Sequence, residues 1–235
     1  MTNPSRSPGQ SSVRKAGRPN RESAEAIPSR ILTAAADLFV ELGYDRTTMD
    51  EVAGRAQVSK RTLYSRFQGK DELFLATAER VSENKLAELE ALRVRSEVLP
   101  DKLEELALAL TSLLVEPRFI AFERIFASEA RNFPSLAAER VHLGIEHITS
   151  IVRQALRDEP LFREMEEAEL TRNAQIFVAM AILPGVRQAM FSRCQIEETD
   201  VRLVRQAIDI FLSGVTGGGN IASLPAAGAG SGKAR

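Results

Sequence analysis

A single cysteine, Cys194, rules out a disulfide within the chain, and no Cys/His spacing suggests a zinc site. Long apolar runs are missing as well. The longest, Ile176 to Leu183, has eight residues and stops at Pro184, short of the roughly 20 that span a bilayer. The first thirty residues hold no apolar core of the signal-peptide kind, which argues against secretion. A large charge of one sign is also absent: the net charge is −1 and 44% of residues are hydrophobic, which excludes disorder of the whole chain. What remains is a soluble, cytoplasmic, helix-rich chain of 235 residues, enough for one or two domains with a real core.

The small net charge hides an asymmetry. Residues 1–21 carry +5, residues 22–75 carry −2, and the remaining 160 carry −4. A basic end on an acidic body suggests an anionic partner for the N-terminal part; a merely solvated arm is the other reading. Residues 1–27 are rich in Ser, Pro, Gly and Arg without a hydrophobic period and read as a disordered arm. Residues 216–235 hold six of the fourteen glycines and read as a disordered tail. Within that tail, Gly228 to Lys233 imitates a phosphate-binding loop, but Ala234 stands where a magnesium-binding hydroxyl belongs, and no strand or helix flanks it.

Between the tails the apolar residues recur at helical spacing almost throughout, which predicts an all-α fold of about nine helices. Ile31, Leu32, Ala35, Leu38, Phe39 and Leu42 form one face of a first helix that Gly43 ends. Thr48 and Glu51 have the spacing of a capping box for a second, which runs to about Ala56. Ser59 caps a short third helix, and a longer one starts near Lys70. Pro100, Pro117, Pro134 and Pro160 then punctuate the pattern, giving helices near 101–115, 117–131, 134–158, 162–193 and 198–214, with a kink expected at Pro184-Gly185.

Only Gln57 and Val58 separate the second and third helices, which makes them a helix-turn-helix. The exposed face of the third carries Lys60, Arg61, Thr62, Tyr64, Ser65 and Arg66, while Leu63 and Phe67 anchor it. Arg and Lys can donate to guanine edges in the major groove, and a Tyr hydroxyl can reach phosphate or base.

The stretch TTMDEVAGRAQVSKRTLYSRFQGKDELF, residues 47–74, resembles the DNA-binding domain of the tetracycline-repressor (TetR) family, and Ile31 to Tyr44 is similar to its first helix. The resemblance implies a homodimeric transcription factor, usually a repressor, that binds a palindromic double-stranded operator and leaves it when a small apolar or amphipathic molecule binds the C-terminal domain. No cofactor, metal or membrane is expected, and the expected place is the cytoplasm, associated with the nucleoid. The implied organisation is an arm (1–27), a three-helix DNA-binding domain (28–75), a helical ligand-binding and dimerisation domain (76–215) and a tail (216–235). Thr48, Ser59, Lys60, Arg61, Thr62, Tyr64, Ser65, Arg66 and Lys70 fall on positions that meet DNA. Two positions depart from the pattern: Gln57 stands where glycine is common, so the turn is strained if its φ is positive, and Arg66 stands where histidine is common. Lys15 and Arg18 lie in a thin cationic segment suited to the minor groove, or in a tail without a role.

The C-terminal part is less legible. Phe119, Phe122 and Phe126 sit at helical spacing, which means core packing by default; as pocket wall, with His147 or Arg187 meeting a polar group, they would line a ligand site opposite Pro184-Gly185. Glu139-Arg-Val-His142 has the Glu-x-x-His spacing of di-iron bundles, but His147 has Gly144 three residues before it, so no second copy exists. Cys194 reads as a buried inert thiol or an oxidant sensor.

Overall fold

The computed structural model describes residues 21–192 and 196–217, with the side chains of residues 21–25 and of Thr199 not described. Lys15, Arg18, Cys194 and the Gly228–Lys233 segment lie outside the described residues. The helices are α1 (Arg21–Leu42), α2 (Met49–Arg55), α3 (Lys60–Tyr64), α4 (Lys70–Glu90), α5 (Leu99–Leu114), α6 (Pro117–Ser128), α7 (Pro134–Arg157), α8 (Glu167–Phe177), α9 (Leu183–Phe191) and α10 (Glu198–Thr216). Residues Val178–Ile182 form a π-helical turn that joins α8 and α9 into one interrupted rod. Counted that way there are nine helices, and no strand, among the described residues.

The prolines act as helix starters. Pro117 and Pro134 occupy the first helical position of α6 and α7, where a missing N–H costs nothing. Pro184 instead falls inside the rod, and its ring and absent donor are incompatible with ordinary bonding to Met180. The chain accommodates it by widening the preceding turn, so the expected kink takes the form of a π-turn. Gly185 follows because α9 crosses α5 closely: a Cβ there would lie 2.8 Å from Thr111 Cγ2. The rod Glu167–Phe191 is long and apolar enough by composition to cross a membrane, an exception to the expectation from uninterrupted runs; here it packs on α5, α7 and α10.

One boundary differs from expectation. Helix α1 begins at Arg21, so the last seven residues assigned to the arm are helical. Glu22, Ala24, Glu25 and Ala26 favour helix without forming an apolar stripe, and periodicity cannot register such a segment.

Two cores organise the molecule. The first gathers Ile31, Phe39, Val52, Leu63, Leu73 and Phe74 from α1–α4, together with Phe122 and Phe126 from α6. The second gathers Leu103, Leu110, Val152, Leu156, Phe162, Phe177 and Phe211, and α4 reaches it through Leu89. Packing therefore runs across residue 75, the expected domain limit: α4 belongs to both cores, and α6 closes the first.

In the turn between α2 and α3, Gln57 has φ +53°, the left-handed region that its departure from glycine put in question. Its side chain is exposed, so glycine there removes strain without removing a contact. Gln57→Gly should raise stability by about 0.5–1 kcal/mol, the left-handed penalty less the entropy glycine adds to the unfolded chain. The midpoint of urea unfolding reads this directly.

Candidate nucleic-acid interface

The interface is built on two capped helices. The Thr48 amide donates to Glu51 Oε2 at 2.9 Å and the Glu51 amide donates to Thr48 Oγ1 at 3.2 Å, completing the expected capping box at α2. The Thr48 hydroxyl and then its amide, both donating to the Glu51 carboxylate, hold that carboxyl below the usual carboxylate range. At α3, Ser59 Oγ accepts from the Thr62 amide at 3.0 Å. Leu63 and Phe67 are buried and fix the rotation of α3 about its axis.

That rotation sorts the expected contact residues into two groups. Arg61, Tyr64 and Arg66 point to solvent, Tyr64 with half its surface exposed, and among the described residues none has a side-chain hydrogen bond or ion pair. The others are engaged inside the protein. Ser59 and Thr62 share a hydroxyl bond at 2.8 Å, Ser65 Oγ donates to the Thr62 carbonyl, and Lys60 pairs with Asp50. Thr48 Oγ1 donates to Glu51. Lys70 Nζ donates to the carbonyls of Tyr44 and Asp45, each at 3.0 Å, and lies 4.5 Å from the centre of the Tyr44 ring. Lys70 thus braces the loop before α2 with two of its three donors. The Tyr44 hydroxyl donates to Asp71, and burial together with that carboxylate pushes the phenol well above its ordinary range.

A residue that sequence reasoning missed seals the motif. The Arg30 guanidinium, from α1, donates to the carbonyls of Ala56 at 2.5 Å and Gln57 at 3.1 Å. It satisfies the C-terminal end of α2 at the strained turn. Its partners are 26 and 27 residues away, so no local signal marks it. Arg55 likewise forks onto Glu41 of α1, with both bonds at 2.9 Å.

Of the expected ligand-site residues, Phe119 and Phe122 line one cavity, while Phe126, His147 and Arg187 stand apart from it. Phe122 and Phe126 are buried in the first core, stacked at 5.9 and 5.8 Å from the Phe74 ring. Phe119 is half-buried near Lys85, His147 lies beside Glu90 at 3.7 Å, and Arg187 is exposed on α9. The reason is geometric: spacing along α6 fixes which side chains share a face, not which core that face meets. His142 is exposed, with Nε2 3.8 Å from Glu146, and does not face inward as a di-iron ligand must.

Two family models match in succession: bacterial regulatory proteins of the tetR family over residues 31–77, and the C-terminal domain of AefR-like transcriptional repressors over residues 101–214. The chain belongs to the tetR family. It is 33% identical over 138 residues to the HTH-type transcriptional activator FasR of Mycolicibacterium smegmatis (strain ATCC 700084 / mc(2)155), a match covering 57% of this chain and 61% of FasR. The chain therefore spans about three fifths of that relative's length. Among solved structures, a TetR-family regulator of Mesorhizobium loti MAFF303099 aligns with a TM-score of 0.64 at 22% identity, over 81% of this chain and 96% of the other. The flavonoid-responsive regulator FrrA aligns at 0.62 and 25% identity, over 81% and 97%. In this tetR-family chain the capped α2–α3 pair falls within the first matched segment.

Because Phe122 is a core residue, Phe122→Ala should cost about 3–5 kcal/mol and lower the thermal midpoint of the whole chain. A melting curve like the parent's would remove α6 from the first core.

Proposed function

We propose that this chain is a transcriptional regulator that binds a palindromic DNA operator as a homodimer, represses from it, and is released by a small apolar or amphipathic molecule. The observation that carries the reading is the free side of the capped helix-turn-helix: Arg61 and Tyr64 on α3, and Arg66 in the turn that follows it, have no internal partner to give up. A fork-shaped cation there suits the O6/N7 edge of guanine. Lys60 is paired with Asp50, but both side chains are well exposed, so exchanging that partner for phosphate costs little.

One α3 reads too few base pairs to select a site in a genome, so two copies are needed. The rod and α10 offer a surface for self-association: Ile176, Phe191, Leu203 and Ile210 are exposed, and Leu203 and Ile210 stand two turns apart on one face of α10. A two-fold axis through that face makes it self-complementary. Repression is supported by the match of the C-terminal segment to AefR-like transcriptional repressors, and release by a small molecule by the likeness to the flavonoid-responsive regulator FrrA.

Fluorescence anisotropy with DNA from upstream of the chain's own gene tests the reading. Arg61→Ala should weaken specific binding by about 1–3 kcal/mol while leaving binding to random DNA nearly unchanged. Equal loss on both DNAs would make Arg61 a phosphate contact, and no effect on either would move the interface away from α3. A promoter-fused reporter that falls when the chain is expressed supports repression; one that rises assigns activation.

In sedimentation, the chain should run as a dimer at micromolar concentration, and Leu203→Glu with Ile210→Glu should convert it to monomer and abolish operator binding. A monomer with full DNA affinity would exclude the two-copy arrangement.

A further inference from the structure

We propose that the effector of this regulator enters the seam between the two cores, in a cavity walled by α1, α4 and α6, and that it is a small acid: one carboxylate on a compact apolar frame. The inference rests on the reading of the chain as a ligand-released regulator and adds to it a place and a chemical class. The cavity has a volume of about 240 Å³. That is room for about eight waters at roughly 30 Å³ each, and below the roughly 300–1,000 Å³ of sites for drug-sized ligands, so a molecule of single-ring size fits. Leu32, Val40, Val81 and Phe122 give it apolar walls.

The polar end is Lys85. Its side chain is only 8% exposed, yet its ammonium is held by Glu88 at 2.5 Å and Glu116 at 3.7 Å and lies 5.1 Å from the centre of the Phe119 ring. A buried ammonium needs a counter-ion, and both of those present are half in solvent, 52% and 47% exposed. Glu116 also accepts from the amides of Arg118 and Phe119, each at 3.2 Å, at the start of α6. Its carboxylate therefore stands where an incoming carboxylate would stand, between a buried cation and the first amides of α6. The ligand's acid group takes over the two amides and the ammonium, and the half-exposed Glu116 carboxylate turns out to water. The remaining charged groups on the wall, Arg80 and Arg118, leave the lining with one more cation than anion.

The place matters because α1 carries the DNA-reading head and α6 closes its core. Arg118 of α6 pairs with Asp37 of α1 across the seam beside the cavity. A ligand seated between Lys85 and the first turn of α6 presses on Leu32 and Val40 of α1 next to that pair and shifts α1 against α6. It thereby has the differential affinity for two head positions that release requires. By contrast, the crossing of α5 and α9 near Pro184-Gly185 is filled, with no room for even a Cβ on Gly185.

Calorimetric titration of the full chain with 3-phenylpropanoate and its neutral isostere 3-phenylpropanamide tests the site, and operator anisotropy is read separately. The acid should bind once per subunit and roughly tenfold more tightly than the amide. Lys85→Met should weaken the acid by roughly tenfold or more and leave the amide and the operator affinity unchanged. Glu116→Gln, at a half-exposed position where the fold is not at risk, should bind the acid several-fold more tightly, about threefold or more, because the resident competitor is neutral. Equal binding of acid and amide, parental binding by Lys85→Met, weaker binding by Glu116→Gln, or no acid binding up to millimolar concentration each overturns the site. If the acid binds as expected but no operator is bound, the seam site stands and the regulator reading falls. If the operator is bound and the acid is not, the reverse holds.

Discussion

The ring of Phe74 is the point on which the arrangement depends. It lies 5.0 Å from Phe39 and 4.9 Å from Tyr44 on the DNA-reading side, and 5.9, 5.8 and 5.9 Å from Phe122, Phe126 and Phe133 on the other. Each edge or offset contact adds a little to the area buried, but the sum lies at one place. Because these rings come from α1, the loop after it, α4, α6 and the start of α7, burying them sets the direction of α4 and ties α6 to the head. The position of α3 relative to the rest of the chain follows from that cluster.

Apolar packing of this kind fixes closeness better than orientation, and a set of arginines supplies the orientation. Arg140 of α7 donates to the Ala78 carbonyl at 2.7 Å and to Ser82 and Glu123, and lies 4.9 Å from the Phe126 ring, so it spans α4, α6 and α7. Arg118 reaches α1, and Arg30 reaches the strained turn. A planar guanidinium with five donors can hold several carbonyls at fixed angles in a way an ammonium cannot. These bonds have discrete geometry, so the angles between α1, α4, α6 and α7 are set by directed contacts as well as by apolar packing.

Much of this was legible in the sequence, and the boundary of legibility is physical. Features set by neighbours within four residues were readable: the Thr48–Glu51 box, the Ser59 cap, the proline starts of α6 and α7, and the disturbance at Pro184. The positive φ at Gln57 was readable as a question, because a two-residue turn commonly wants glycine there. Features set by distant partners were not. Lys60 and Lys70 carry the charge DNA wants, but nothing in the order of residues shows that Asp50 and the Tyr44–Asp45 carbonyls hold them first. The α6 phenylalanines have a clear helical spacing, yet the spacing does not say that α6 turns that face to the head. Arg30 and Arg140 act over 26 and 62 residues and leave no local trace.

The loan of Phe122 and Phe126 by α6 to the first core has a consequence for how such proteins recombine. A head cut at residue 75 would leave Phe39 and Phe74 facing an open side, and a foreign body would have to offer rings of matching size and height to cover them. Rewriting the exposed residues of α3 therefore disturbs less of the packing than swapping whole heads. A successful graft would have to carry α6 with it as a second, discontinuous segment. The natural unit of inheritance here is not a stretch of chain but a set of surfaces that must travel together.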